Sequence, residues 1–391
     1  MPTYLNNANE VLPIKVRADA EHREADARHV AKCLAPDLLP DGKALSLRKV
    51  SGGITNELYQ VWPEDGTNGG VLVRVYGCNT EVLIDRAMDN TVSAELSKLG
   101  TAPTYHGRFE NGRVEGFLAA LPLQPTQMGE ERLVPLIAEE LARMHCLDVH
   151  AGAARKEATV WRKLEEWLAL ASQVHFSEPD KQAALEALSL KGVAARVEWT
   201  RRQLAAEPAA AAALDEDETA GAAFMEELVF AHNDLLAGNA AAALAAAAAA
   251  PPPAAAHSSG IVFVDYEYAA WNVRAFDVAN HWNEHAGFDC DYAGGYPKPP
   301  VQRAFLQAYA RACRPALFEG IGKAARAARI EGMRRVANRY TLVSHLFWEV
   351  WAIIQAKHSV VDFDYLGYAL LRQGGFEAHC REFMGQPPPP L

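Results

Sequence analysis

The chain has 391 residues, half of them hydrophobic, and a formal net charge of −11. That length suits two domains or one two-lobed domain with a sizeable core. The acidic balance argues against a general nucleic-acid binder, and six cysteines without a CxxC pair argue against a disulfide-stapled scaffold. The first thirty residues are polar and charged, with no apolar stretch of a signal peptide, and no later run is apolar enough to insert stably in a membrane. Reduced thiols in a cytoplasmic protein are the expectation.

Residues 20–35 carry a helical period. SLRKVSGGITNELYQVW (46–62) alternates on either side of Gly52 and Gly53, which reads as strand, glycine turn, strand. GGVLVRVYG (69–77) is a further strand with one charge, Arg74, in its middle. Residues 82–99 fit a helix ending at Gly100, and RVEGFLAALPL (113–123) a strand broken at Pro122. From about residue 130 the chain reads as helical, with periodic runs at 133–147, 159–171, 181–204, 299–313, 324–357 and 362–380. Two short strands interrupt it, LVFA (228–231) and IVFVD (261–265). Two alanine-rich tracts, 205–223 and 240–260, read as inserted segments rather than core. The fold expected is α+β: a small antiparallel-sheet N-lobe over 1–125 and a large, mainly helical C-lobe over 126–391, with a ligand cleft between them.

HNDLLAGN (232–239) follows the first short strand directly, and Asp265 ends the second. A charge there is costly to bury unless it is used. With the Gly52-Gly53 turn and Arg74, the chain presents four pieces in the order of a protein kinase: a glycine loop, a strand cation, Asp-xxxx-Asn, and a metal-binding Asp. ATP phosphates need backbone N–H groups and a cation. Mg²⁺ takes hard oxygens, here from Asn239 and Asp265. The acceptor hydroxyl needs a base, here Asp234. Read apart, Asp234 could be a helix N-cap, Asp265 a strand-end turn, and Gly52-Gly53 a plain hairpin. His232 reads as structural, holding the loop backbone. Asn239 and Asp265 stand 26 positions apart, so the Ala/Pro tract reads as an insertion in a hairpin whose first strand lacks apolar residues. A competing pattern, HWNEH (281–285), matches an inverted zinc-protease motif, but it lacks an evident third ligand and leaves HNDLLAGN unexplained.

VRVYGCNTEVLIDR (73–86), HNDLLAGN (232–239), VDYEYAAWNVRAFDVANHWNEHAG (264–287) and HLFWEVWAIIQAKHSVVDFDYLGYA (345–369) resemble the choline/ethanolamine kinases, in order. The resemblance implies a protein-kinase-like fold and phosphorylation of a small amino alcohol by ATP with Mg²⁺, the first step of phosphatidylethanolamine or phosphatidylcholine synthesis. It gives Asp234 as catalytic base, Asn239 and Asp265 as Mg²⁺ ligands, and Arg74 as the phosphate-holding cation. Asp277 becomes a buried brace for the catalytic loop. Tyr268, Glu284, Trp348, Trp351, Phe363, Tyr365 and Tyr368 would line the amino-alcohol pocket. Trp348 and Trp351 share a helix face, which alone would read as a core stripe. Beside a carboxylate, such rings suit an ammonium group, each contributing roughly 0.5–2 kcal/mol.

Leu235-Leu236, NEHAGFDCDY and AKHSVVDFDYL look closer to the ethanolamine branch, so ethanolamine kinase is the expectation. Choline or dual specificity is the alternative, and an aminoglycoside-type kinase a more remote one. A silent binding protein on the same scaffold is a third reading, opposed by the intact Asp234, Asn239 and Asp265. A homodimer is compatible with these expectations.

Overall fold

A computed structural model describes residues 3–50, 56–67, 69–151, 158–206, 215–243 and 260–388. The chain divides into two compact units. One comprises Met1–Pro122, Val149–Ala153 and Gly238–Tyr268, the other Leu123–Asp148, Ala154–Ala237 and Ala269–Leu391.

In the first unit, alternating residues pair into a six-stranded sheet in the order β1 (Val11–Leu12), β5 (Tyr105–Phe109), β6 (Gly112–Gly116), β4 (Val71–Tyr76), β3 (Asn56–Pro63) and β2 (Leu45–Val50). All pairs are antiparallel except β1 with β5. Helix α1 (Ala20–Leu34) begins where the Asp19 side chain accepts from the His22 N–H. Its Ala27, Val30, Ala31 and Leu34 bury against Tyr59, Val61, Val73, Phe109 and Val114 of the sheet. Helix α2 (Arg86–Lys98) is capped by Asp85, which accepts from the N–H groups of Ala87 and Met88, and Gly100 follows it with φ 70°. The turn expected at Gly52 and Gly53 lies outside the described residues.

The same unit carries a second sheet, in the order β10 (Ile261–Phe263), β9 (Ala240–Ala243) and β7 (Ala120–Pro122). The start of the alanine tract, expected to lie off the core, is therefore the middle strand of a sheet. Alanine has little β preference of its own. Here backbone pairing on both edges supplies the reason: Ala241 faces Val262 on one side and Pro122 on the other. The hairpin on either side of the alanine tract thus has its first strand.

The second unit is built on α10 (Lys323–His358), 36 residues long and buried almost continuously from Ile330 to Gln355. Against it pack α4 (Thr159–Ala171), α6 (Leu190–Ala205), α7 (Glu216–Met225), α8 (Arg274–Glu284), α9 (Pro299–Cys313) and α11 (Tyr365–Met384). Helix α3 (Val134–His145) packs on α9. The run expected as one helix over 181–204 is two, α5 (Pro179–Leu188) and α6, because Ser189 turns left-handed (φ 50°) and caps α6 by accepting from the Gly192 N–H. Part of the 205–223 tract is likewise a packed helix, α7. Its Gly221 and the Gly332 of α10 sit where an added Cβ would meet the Arg329 and Glu218 carbonyl oxygens, so the two backbones touch. Two strands, β8 (Leu228–Ala231) and β11 (Ala270–Val273), pair antiparallel and present the loop that follows β8. Among the described residues no helix is long and apolar enough to cross a membrane.

Candidate active site

In the first unit, Asn239 closes a 3-10 turn (Ala237–Asn239) that leads straight into β9, and its carbonyl accepts from the Val264 N–H at 3.0 Å. Val264 precedes Asp265, so the hairpin ties the two sequence-predicted metal ligands to one another through the backbone. Asp265 itself has φ 65°. Its Oδ1 accepts from Arg74 Nη1 at 3.0 Å.

Arg74 lies directly opposite Arg113 across β4 and β6. Like charges so placed repel. Glu115, two residues along β6, resolves this by accepting from Arg74 Nη2 at 3.1 Å and from Arg113 Nε at 2.8 Å. Arg113 also donates to Asp89 Oδ1 at 2.8 Å. Arg86 donates to Asp89 Oδ2 at 3.2 Å and to Glu267 Oε2 at 3.0 Å. The result is a file of alternating charge, buried at its centre: Asp265, Arg74, Glu115, Arg113, Asp89, Arg86, Glu267. Burial alone would raise the Glu115 carboxyl, but the Arg74 and Arg113 guanidiniums outweigh it and bring it down to about 2. At Glu267 burial, then the charge of Asp265, push the carboxyl up. Sequence reasoning missed Glu115, Arg113, Asp89, Arg86 and Glu267. The signal was Arg113 and Glu115 two apart in a strand, hence two charges on one sheet face.

In the second unit, Asp234 stands in the loop after β8. The loop is held by Asp277 of α8, whose Oδ2 and Oδ1 accept from the backbone N–H groups of His232 and Asn233, each at 2.7 Å. Asn233 is left-handed (φ 64°), and Asn272 Nδ2 donates to its side-chain oxygen at 3.0 Å. His145 Nε2 donates to Asp277 Oδ2 at 2.9 Å, and Tyr309 OH donates to His145 Nδ1 at 2.5 Å. Arg274 Nη1 donates to Tyr309 OH at 2.9 Å. Burial would raise the Asp277 carboxyl, but its bond from His145 and the backbone N–H groups hold it below the usual range. Asp277 thus does what the resemblance implied, through a chain of partners that the sequence did not reveal.

The aromatic residues expected around the substrate form a continuous row in this unit. Ring centroids lie 5.4 Å apart from Trp348 to Trp351, 5.7 Å from Trp351 to Tyr365, 4.9 Å from Tyr365 to Phe363 and 5.8 Å from Phe363 to Tyr368. Phe288, unforeseen, meets both Phe363 and Tyr368. Trp348 Nε1 donates to Asn280 Oδ1 at 2.7 Å. Glu284 accepts from Arg372 Nη1 at 3.0 Å, and the same nitrogen reaches Tyr368 OH at 3.3 Å. Burial pushes the Glu284 carboxyl up despite Arg372. Burial also pushes the Tyr368 phenol up, and the charges of Glu284 and Asp234 add to that rise. Tyr268 belongs to the first unit, where it is half-buried.

His281 donates from Nδ1 to the Leu235 carbonyl at 3.2 Å, and its Nε2 lies 3.4 Å from His285 Nε2. Among the described residues no three His, Cys, Asp or Glu are grouped to hold a metal, so the zinc-protease pattern finds no third ligand there.

The sequence profile of the choline/ethanolamine kinases matches residues 47–376. A probable ethanolamine kinase of Arabidopsis thaliana is 33% identical, over 86% of this chain and 80% of that one. Ethanolamine kinase 1 of Homo sapiens is 30% identical, over 92% and 73%. Among solved structures, the ethanolamine kinase of Plasmodium vivax superposes with a TM-score of 0.74 at 22% identity, covering 96% of this chain and 92% of its own. The choline kinase of Cryptosporidium parvum superposes with a TM-score of 0.68 at 20% identity, covering 92% and 96%. The α+β, protein-kinase-like fold read from the sequence is borne out by these neighbours.

Proposed function

The chain belongs to the choline/ethanolamine kinase family, and from that premise we propose that it transfers the γ-phosphoryl group of ATP to the hydroxyl of ethanolamine. The product, phosphoethanolamine, opens the route to phosphatidylethanolamine. The observation that carries the reading is that the Asp234 loop, clamped by Asp277, lies in the same unit as an aromatic row that meets Glu284 through Arg372. A base for the hydroxyl and a lining for the ammonium group belong at opposite ends of one small amino alcohol.

In this reading Asp234 orients the hydroxyl and accepts its proton. Asp277, by fixing the N–H groups at 232 and 233, keeps Asp234 positioned before substrate arrives, which lowers the reorganisation needed in the transition state. Arg74 holds phosphate oxygens, exchanging part of its bond to Asp265 for them. Asn239 and Asp265 offer hard oxygens tied together by one hairpin, a donor set that fits Mg²⁺, and would hold it. When bound, that ion neutralises charge on the transferring phosphoryl group. The trio Trp348, Trp351 and Tyr365, with Phe363 and Tyr368, supplies ring faces for the cation, and Glu284 a carboxylate. The six free thiols suit a cytoplasmic setting.

Choline is the second reading, because ring faces attract a quaternary ammonium that has no N–H to donate. The test measures ATP consumption with ethanolamine, choline and an aminoglycoside, with and without Mg²⁺. Ethanolamine should give the highest kcat/KM, and activity should vanish without the ion. Asp234→Asn should lower kcat about 10²–10⁴-fold and leave substrate binding nearly unchanged. An unaltered kcat would remove Asp234 from the chemistry.

A further inference from the structure

Cys146 and Cys313 take no part in the reaction proposed above, yet their sulfurs lie 3.5 Å apart. Cys146 follows α3 directly and is exposed. Cys313 is the last residue of α9 and is partly buried. Each thiol also reaches the other helix's backbone: Cys146 the Cys313 carbonyl at 3.8 Å, Cys313 the Ala142 carbonyl at 3.4 Å. The two backbones are thus already close, and a disulfide requires the sulfurs to approach to about 2.05 Å.

The surroundings assign the two thiols different parts. The Cys313 S–H, with the Arg274 and Arg314 guanidiniums, brings the Cys146 thiol down to about 6, while Cys146 and burial push Cys313 up. Cys146, the more exposed of the two, is the thiol open to attack by a reagent, and Cys313 is its sheltered partner. Arg274 Nη1 donates at once to Cys313 Sγ at 3.3 Å and to Tyr309 OH at 2.9 Å. From Tyr309 the hydrogen bonds run to His145, then to Asp277, then to the N–H groups of His232 and Asn233. His145 is also the covalent neighbour of Cys146.

We propose that Cys146 and Cys313 are an oxidative modification site for low-molecular-weight disulfides, and that closing the pair loosens the clamp on the 232–234 loop. The Cys146 thiolate attacks one sulfur of the small disulfide, forming a mixed disulfide and releasing one small thiolate. Cys313 then attacks Cys146 Sγ, its proton passing to the second small thiolate as that leaves. The protein loses two electrons and the small disulfide gains them, giving two small thiols. Turning Cys313 Sγ toward Cys146 takes an acceptor from Arg274 and pulls the residue next to His145.

The full chain is incubated with oxidised glutathione, its remaining thiols are blocked, and its peptides are weighed. Wild type should yield a Cys146–Cys313 linked peptide that dithiothreitol reverses. Cys313→Ser should stop with glutathione on Cys146, and Cys146→Ser should leave Cys313 unmodified. In linked wild type, hydrogen exchange at the His232 and Asn233 amides should quicken several-fold over the reduced protein. Glutathione persisting on wild-type Cys146 without linkage overturns the proposal, and so does a linked protein whose two amides exchange at the reduced rate. Both readouts are independent of turnover with ethanolamine, so failure of the kinase reading shows itself separately.

Discussion

Two buried glutamates, one in each unit, meet opposite fates. In the sheet-bearing unit Glu115 receives two guanidiniums, Arg74 and Arg113, and is held ionised, down at about 2. In the helical unit Glu349 receives one, Arg196 Nη2 at 2.6 Å, and burial still pushes it up to about 7. Glu284 has one guanidinium, Arg372, and is raised as well. For these glutamates one cation does not repay desolvation, whereas two do; Asp277, in the helical unit, is lowered without any guanidinium because His145 and backbone N–H groups bond it. Glu267 is the control within the first unit: it bonds Arg86, but burial and then Asp265 keep it raised.

The largest expected effect comes from breaking the doubly held acid. Arg113→Met leaves Asp89 and Glu115 both short of a partner, and urea melts should show a loss of about 3–5 kcal/mol. A loss under about 1 kcal/mol would mean that the file of charges contributes little beyond shape. Arg372→Met should be milder, about 1–3 kcal/mol, because Glu284 can take up a proton and then lacks only a hydrogen bond.

The two glutamates also separate by pH. Glu115 sits below the ordinary carboxyl value of 4.5, so its stabilisation is present above that value and is lost as pH falls toward 2. Glu349 sits above 4.5, so its stabilisation is full below that pH and is lost as pH rises through about 7. Glu115→Gln should therefore lower Tm at pH 7 and converge on wild type in acid. Glu349→Gln should match wild type near pH 5 and gain on it by pH 8. Parallel Tm profiles for the two variants would erase the distinction between the units.

The smallest effect tests the consequence for substrate. Since Arg372 already shares the Glu284 charge, an ammonium group must lean on the rings. Trp348→Ala should raise KM for ethanolamine several-fold, in line with roughly 0.5–2 kcal/mol for one ring, and leave KM for ATP nearly unchanged. Equal rises in both constants would count against the row as the amino-alcohol lining.

Motifs whose chemistry is local were legible in the sequence. HNDLLAGN and Asp265 declare themselves because charged residues at strand ends need a use, and Trp348 with Trp351 because helical spacing puts them together. What escaped was chemistry made by pairing. The Glu115 bridge exists only once β4 and β6 place Arg74 opposite Arg113. The strand at Ala240–Ala243 has no side-chain signature and takes its conformation from Val262 and Pro122 on its flanks. Helix α7 looked like filler because alanine and glycine bury little surface, yet Gly221 is what lets it lie against α10. Ser189, a cap inside an unbroken helical period, split a run that hydrophobic spacing alone could not divide.

The left-handed backbone at Asp265 bears on any mutagenesis of that position. Only a few side chains tolerate φ near 65°, aspartate and asparagine foremost. Asparagine is thus the one replacement that interrogates charge without also bending the chain, while alanine or glutamate would fold two injuries into a single reading.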